Sequence, residues 1–304
     1  MSTKTDIKRS REYEMRVYLD SMKAMYQNAL LQNGEVYDIA MQLTRGFSAI
    51  TADAILQDSR IIKILRYVIA PSISQMKFGQ FFGLTSIDRY ENDKLTSGSA
   101  TFRQLKKIAG EIAMFAEEHL DQQRFLWLSP EEGALADKQL AERYAKNWTC
   151  SIAADQNAQT RYRNWRKDQQ EHAIASELVK LGYTKSTYSG IVAARTDINL
   201  GDYTQEVRVK GRTRQKADLV ARSKRNSKLV LIEAKAVGVE IDSTKRIKEC
   251  CDKSGDWRSS RKLGAPIVVA VIAGFFNETG IANLRASKIN VVWEHRLSDL
   301  STVL

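Results

Sequence analysis

Through the first half of the chain, apolar residues recur at three- and four-residue spacing among Glu, Lys, Leu, Ala and Gln. That period lines them along one face of a helix. YEMRVYLDSMKAMYQNALLQ (13–32) and TFRQLKKIAGEIAMFAEEHL (101–120) are the clearest stretches. Pro71 and SPEEG (129–133) interrupt the pattern, and Ser129 followed by Pro130, Glu131 and Glu132 predicts a new helix start. Near residue 168 the pattern changes. A helix over 168–182 sets Ile174, Leu178 and Leu181 on one face and stops at Gly182. Three strands follow, at 203–210, 216–223 and 228–237, joined by turn-like RTRQ and KRNS. Asp242 and Ser243 are placed to cap a helix over 243–262 that carries Ile247, Cys250, Cys251 and Trp257. A strand at 267–274, a short helix at 279–287 and a strand at 290–295 complete the series. Helix, three strands, helix, strand, helix, strand predicts an α/β domain on a mixed sheet, preceded by an all-α domain. The expected boundaries are a helical domain at 1–150, a polar linker at 151–167 and the α/β domain at 168–304.

Composition narrows the setting. No run of 18 apolar residues exists to span a membrane, and the charged N-terminus lacks the apolar core of a secretory signal. Cys150, Cys250 and Cys251 show no CxxC spacing that would suggest zinc, which predicts a reduced, cytoplasmic protein. The net charge of +11 is unevenly spread. Residues 1–160 hold 20 Lys and Arg against 20 Asp and Glu, while residues 161–304 hold 27 against 16. The whole excess therefore lies in the second half, as expected of a surface that meets nucleic-acid phosphates.

Within VLIEAKAVG (230–238), Glu233 and Lys235 share one strand face, because alternate residues point the same way. Leu229, Leu231 and Val237 have the same parity, so the charges lie in a largely apolar face. Asp218, in the preceding strand of the hairpin, can stand beside Glu233. Two adjacent carboxylates resist joint ionisation unless a cation lies between them. A hard cation such as Mg²⁺ takes one or two carboxylates and completes its shell with water and phosphate oxygens. A lysine on the same face can orient water or stabilise developing negative charge. The set suits metal-assisted phosphodiester hydrolysis; the competing reading is a salt bridge at a strand end.

The helix, the hairpin bearing Asp218, and Glu233-Ala234-Lys235 together resemble the PD-(D/E)XK restriction-endonuclease-like core. Ala217 stands where the family name has proline. QEHAIASELVKLGY (170–183) resembles the family's acid-bearing helix and maps that acid to Glu171, with Glu177 the competing choice. More narrowly, KADLVARSKRNSKLVLIEAKAVG, STKRIKE (243–249) and VVWEHRLSDL (291–300) are similar to XamI-like type II restriction endonucleases. The resemblance implies site-specific cleavage of double-stranded DNA with Mg²⁺. Asp218, Glu233 and the Ala234 carbonyl would hold the metal, Lys235 would serve the attacking water, and Lys245 and Arg246 would contact DNA. Cutting both strands of a palindromic site implies a homodimer. The basic run RVKGRTRQK (208–216), with Arg212 and Arg214, is placed to meet phosphates.

Residues 72–112 resemble a Cro/repressor-type helix-turn-helix, with Gln75, Ser86 and Arg89 nearest DNA. The segment between Gly83 and Ile87 is about two residues shorter than that motif requires. The alternative is a helical bundle with Phe78, Phe81 and Phe82 in its core. Two other functions fit the same residues. One is a repair, recombination or phage-type nuclease with low sequence specificity. The other is a helix-turn-helix regulator with an inactive nuclease core, against which the intact Asp218, Glu233 and Lys235 argue.

Overall fold

The computed structural model describes residues 3–128 and 137–304. The helix start expected at 129–133 lies outside them. In chain order come α1 (Thr3–Leu43), α2 (Ala52–Gln57), α3 (Ile61–Val68), α4 (Gln75–Phe81), α5 (Asp88–Glu91), α6 (Ala100–Glu118) and α7 (Lys138–Lys180). They are followed by β1 (Thr184–Lys185), β2 (Asp202–Lys210), β3 (Arg214–Arg222), β4 (Leu229–Val237), α8 (Glu240–Arg258), β5 (Ile267–Gly274), α9 (Glu278–Ala286) and β6 (Asn290–Trp293). No helix among the described residues is long and apolar enough to cross a membrane.

The chain divides into two compact units. One is Met22–Arg161; the other joins the segment ending at Ser21 to Tyr162–Leu304. Both differences from the expected boundaries have a physical cause. The polar stretch 151–167 is helical throughout, as part of α7. No glycine or proline occurs between Lys138 and Lys180 to stop that helix, and Ala153, Ala154 and Ala158 are buried within it. The start of α1 joins the α/β unit through residues far away in sequence. Arg166 lies between Glu14 and Glu294, at 2.8 and 2.9 Å, and Arg296 pairs with Asp6 at 3.2 Å. The Gly274 amide also donates to the Ser10 hydroxyl.

In the helical unit, Thr51, Ser74 and Ser99 accept hydrogen bonds from the amides of Ala54, Lys77 and Phe102, and so cap α2, α4 and α6. α3 is buried along its whole length. The charge of its Arg66 is met by Glu91, with contacts of 2.5 and 3.1 Å, and by the Ile73 carbonyl at 2.8 Å. Phe47, Ile55, Leu65, Phe78, Leu105, Ile112 and Phe125 belong to the apolar core.

The α/β unit is built on a six-stranded mixed sheet in the order β1-β2-β3-β4-β5-β6. β2, β3 and β4 are antiparallel, while β1 runs parallel to β2 and β4, β5 and β6 run parallel. β4 and β5 alternate between two cores, as a sheet covered on both faces requires. Leu229, Leu231, Val237 and Val268 pack with Ile247, Cys250 and Trp257 of α8 and with Ile281 and Leu284 of α9. Val230, Ile232, Val269 and Val271 pack with Ile174 and Leu178 of α7 and with Leu300. This is the α/β domain on a mixed sheet that the strand and helix order predicts, and it is consistent with the restriction-endonuclease-like core that the motif resemblance implies. Trp293 is a core residue on the α8 side.

Two details differ from expectation. α8 begins at Glu240 rather than at Ser243, because only Gly238 and Val239 link it to β4; Ser243 instead donates to the Glu240 carbonyl. β6 ends at Trp293, short of His295. Gly211 is required by close approach. A Cβ on Gly211, in the turn joining β2 and β3, would overlap Asp256 Oδ2 and stand 2.6 Å from the Asp256 carbonyl oxygen. Gly211→Ala is expected to destabilise the protein by about 1–3 kcal/mol in urea denaturation, because the added methyl would meet a backbone oxygen of α8 and force turn or helix to shift. An unchanged unfolding midpoint would show that this packing is slack.

Candidate active site

β3 and β4 deliver the proposed chemistry where their ladder stops. The last paired residues are Leu219 and Ile232, so Asp218 and Glu233 stand just beyond the final rung. On its other side the β2–β3 ladder is broken, with no change of register, where Glu206 stands opposite Asp218. Gln205 pairs with Leu219 and Val207 with Ala217, leaving Glu206 unpaired at φ 54°. A non-glycine residue in the left-handed region costs on the order of 1 kcal/mol, and such strain clusters at active sites. Asp218 thus occupies a gap flanked by two interruptions of the sheet. In place of a ladder bond, the Ala234 amide donates to Asp218 Oδ2 at 2.8 Å. The N–H and C=O of one strand residue point towards the same neighbour, so the Ala234 carbonyl faces the same gap.

Glu233 is 1% exposed and Asp218 7% exposed. Lys235 Nζ lies 2.7 Å from Glu233 Oε2 and 3.5 Å from Asp218 Oδ2. Burial opposes the Lys235 charge, but Glu233 and Asp218 hold its pKa above the ordinary lysine value. In that form Lys235 is a hydrogen-bond donor. The three charges are therefore paired with one another, which is the geometry of the competing salt-bridge reading. Their burial in an apolar face weighs against a purely structural role, since desolvating charges offsets most of what their attraction contributes. Cys250 packs alongside, and burial pushes its thiol up to about 12, so it stays protonated and inert.

A fourth charge, absent from the sequence expectation, completes the group. Lys253 of α8 places Nζ 2.9 Å from Glu233 Oε1, 2.8 Å from Glu233 Oε2 and 2.6 Å from the Lys216 carbonyl. The signal for it was present in α8. Lys253 falls three residues after Cys250 and four before Trp257, on the helix face that packs against β4.

Glu171 is buried on α7. Burial, with Asp218 nearby, raises its pKa, and its Oε1 forms no hydrogen bond although Lys167 lies 3.3 Å away. Glu177, the competing acid, instead pairs with Lys180 at 3.3 Å. Among the described residues, no three His, Cys, Asp or Glu side chains gather into a metal cage. The donors that do converge are two buried carboxylates, already neutralised by ammonium groups, and a main-chain carbonyl. All are hard oxygens, a set that fits a divalent cation drawing its remaining ligands from water and phosphate.

The expected DNA contacts divide. Arg212 and Arg214 are exposed in and beside the β2–β3 turn, which Asp256 anchors by accepting from the Thr213 amide. Lys245 and Arg246 are exposed on α8, Arg246 pairing with Glu249 at 3.0 Å. The helix-turn-helix expectation meets a different geometry. α4 has seven residues, but α5 has only four, one turn, so no helix long enough to lie in a major groove follows the turn. Gln75 is held internally by Asp88 and Glu91, at 2.8 and 2.9 Å, whereas Ser86, at φ 57°, and Arg89 are exposed. Phe78 is fully buried and Phe82 packs on the core, as in the bundle alternative, but Phe81 is 56% exposed.

The sequence profile of the XamI restriction endonuclease family matches residues 45–293. The chain belongs to the XamI restriction endonuclease family. The match extends well beyond the 168–300 that carry the motif resemblance, so the XamI family pattern includes most of the helical unit. The type II restriction enzyme SalI of Streptomyces albus G is 26% identical over 302 residues, covering 93% of this chain and 91% of that protein. The crystal structure of protein VC1899 from Vibrio cholerae aligns with 92% of the chain at 11% identity and a TM-score of 0.27. The chain spans 55% of that protein's length, and so low a score carries no argument about the fold.

Proposed function

We propose that this chain, a type II restriction endonuclease by family, cleaves both strands of duplex DNA at a specific site in the cytoplasm, with Mg²⁺ held by Asp218, Glu233 and the Ala234 carbonyl. The observation that carries this reading is the splayed end of the β3–β4 ladder, where two buried carboxylates and Lys235 converge. Bound there, Mg²⁺ would polarise a phosphoryl oxygen and lower the pKa of its water. Lys235 donates to the attacking water or to the phosphate as negative charge develops. Asp218 is oriented for its role by the Ala234 amide. Glu171, buried on α7 and with a proton affinity raised by burial and by Asp218 nearby, supports Asp218. Arg212, Arg214, Lys245 and Arg246 contribute phosphate contacts, consistent with the positive excess of residues 161–304. Two active sites are needed to cut both strands, so the working unit is a homodimer.

The test is to incubate the purified protein with DNA of known sequence, with Mg²⁺ or with EDTA. Discrete fragments that appear only with Mg²⁺ are the expected result. A smear would identify a nuclease of low specificity. A mobility shift without cleavage would identify a DNA-binding protein whose nuclease core is inactive.

A further inference from the structure

We propose, on the footing of the nuclease site above, that Lys253 is a positioning residue: the resident counter-ion of Glu233, which holds that carboxylate while no metal is bound and must leave it for a divalent cation to enter. Lys235 touches only one Glu233 oxygen and is shared with Asp218. Lys253 lies across both oxygens, the position from which a cation would engage the carboxylate. The Lys216 carbonyl takes the third contact, so all three ammonium hydrogens are committed and none remains for water or phosphate. A lysine acting directly in catalysis would need one.

Charge balance makes the two roles exclusive. Asp218 and Glu233 are matched by Lys235 and Lys253. A divalent cation added between those carboxylates would place three cations around two anions in a buried site, where repulsion is weakly screened. One ammonium has to withdraw. Lys235 is fixed on the strand itself and its side chain is 12% exposed, whereas that of Lys253 reaches in from α8 and is 21% exposed. Lys253 is thus the freer to swing out, and the Trp257 ring, 5.8 Å from its Nζ, offers a cation–π contact beside the site. In this arrangement Glu233 stays ordered without metal, and the metal affinity of the site is set by competition with a built-in cation.

The measurement is Mn²⁺ binding to the full-length protein without DNA, followed by the electron paramagnetic resonance of free Mn²⁺. Lys253→Met is expected to bind at least about tenfold more tightly than wild type, because a competing charge is gone, and Lys253→Arg to stay within about threefold of it. A merely structural lysine would lower the melting temperature without tightening metal binding. Unchanged or weaker binding by Lys253→Met would overturn the proposal. Asp218→Asn separates the two readings: if it leaves Mn²⁺ binding intact in both backgrounds, the metal site itself is misassigned, whatever Lys253 does. Should Lys253→Met fail to fold, the wild-type crystal structure with Mn²⁺ decides. Lys253 Nζ is expected beyond hydrogen-bond reach of Glu233, and persistence of both contacts beside the bound ion would refute displacement.

Discussion

Lys235→Met is expected to slow DNA cleavage by roughly 10²–10³-fold or more, the usual loss when one preorganised donor to a developing charge is removed. Methionine keeps most of the apolar stem among its neighbours, so the change isolates the ammonium that lies 2.7 Å from Glu233 and 3.5 Å from Asp218. DNA binding, measured with Ca²⁺ in place of Mg²⁺, should change only a few-fold, because Lys235 is one buried charge among many exposed basic residues. Single-turnover cleavage of a short duplex containing the site provides the measurement. Asp218→Asn and Glu233→Gln should be at least as impaired, since each removes a charge that the metal requires. A Lys235→Met enzyme that cleaves at the wild-type rate would sink the assignment of this group as the active site.

The largest stability effect is expected at Arg166→Met. The Arg166 guanidinium is 4% exposed and bonds Glu14 and Glu294, whose side chains are 4% and 5% exposed. Burial opposes the charge, but the two carboxylates raise the pKa of Arg166 above its ordinary value. Removing it leaves two buried carboxylates facing each other with no cation between them. Breaking a buried pair in this way costs about 3–5 kcal/mol. At about 2–4 °C per kcal/mol for a unit of this size, the melting temperature should fall by roughly 10 °C. Adding Glu14→Gln and Glu294→Gln should recover much of that loss by removing the stranded charges. A melting temperature within about 2 °C of wild type for Arg166→Met, less than 1 kcal/mol of change, would show that the cluster does not hold the start of α1 to the α/β unit.

Much of the α/β unit was legible because its elements carry local signals. Period-two patterning marked β2, β3, β4 and β5 to within two residues, and Glu233 and Lys235 could be assigned to the Leu229–Leu231–Val237 face by parity alone. Ends and boundaries were less legible. The start of α8 followed from a two-residue link rather than from a capping side chain, and the polar surface of 151–167 concealed a helix whose buried positions are Ala153, Ala154, Ala158, Tyr162 and Arg166. In 72–112, the shortened turn already departed from a helix-turn-helix, and the single turn of α5 bears out that departure. Buried Phe78 was legible as core, whereas exposed Phe81 was not distinguishable from it by spacing.

By itself the sequence determined the fold class, the strand that carries Glu-x-Lys, the hairpin partner that carries Asp218, and the concentration of positive charge in the second half of the chain. These follow from alternation, from short-range order and from simple counting. Only the tertiary structure decided which charges meet. Lys253 reaches Glu233 from 20 residues away, Arg166 gathers Glu14 and Glu294 across 152 and 128 residues, and the β2–β3 ladder breaks where Glu206 stands opposite Asp218. Such contacts depend on how helices settle against a twisted sheet, and no local pattern of apolar and polar residues encodes that.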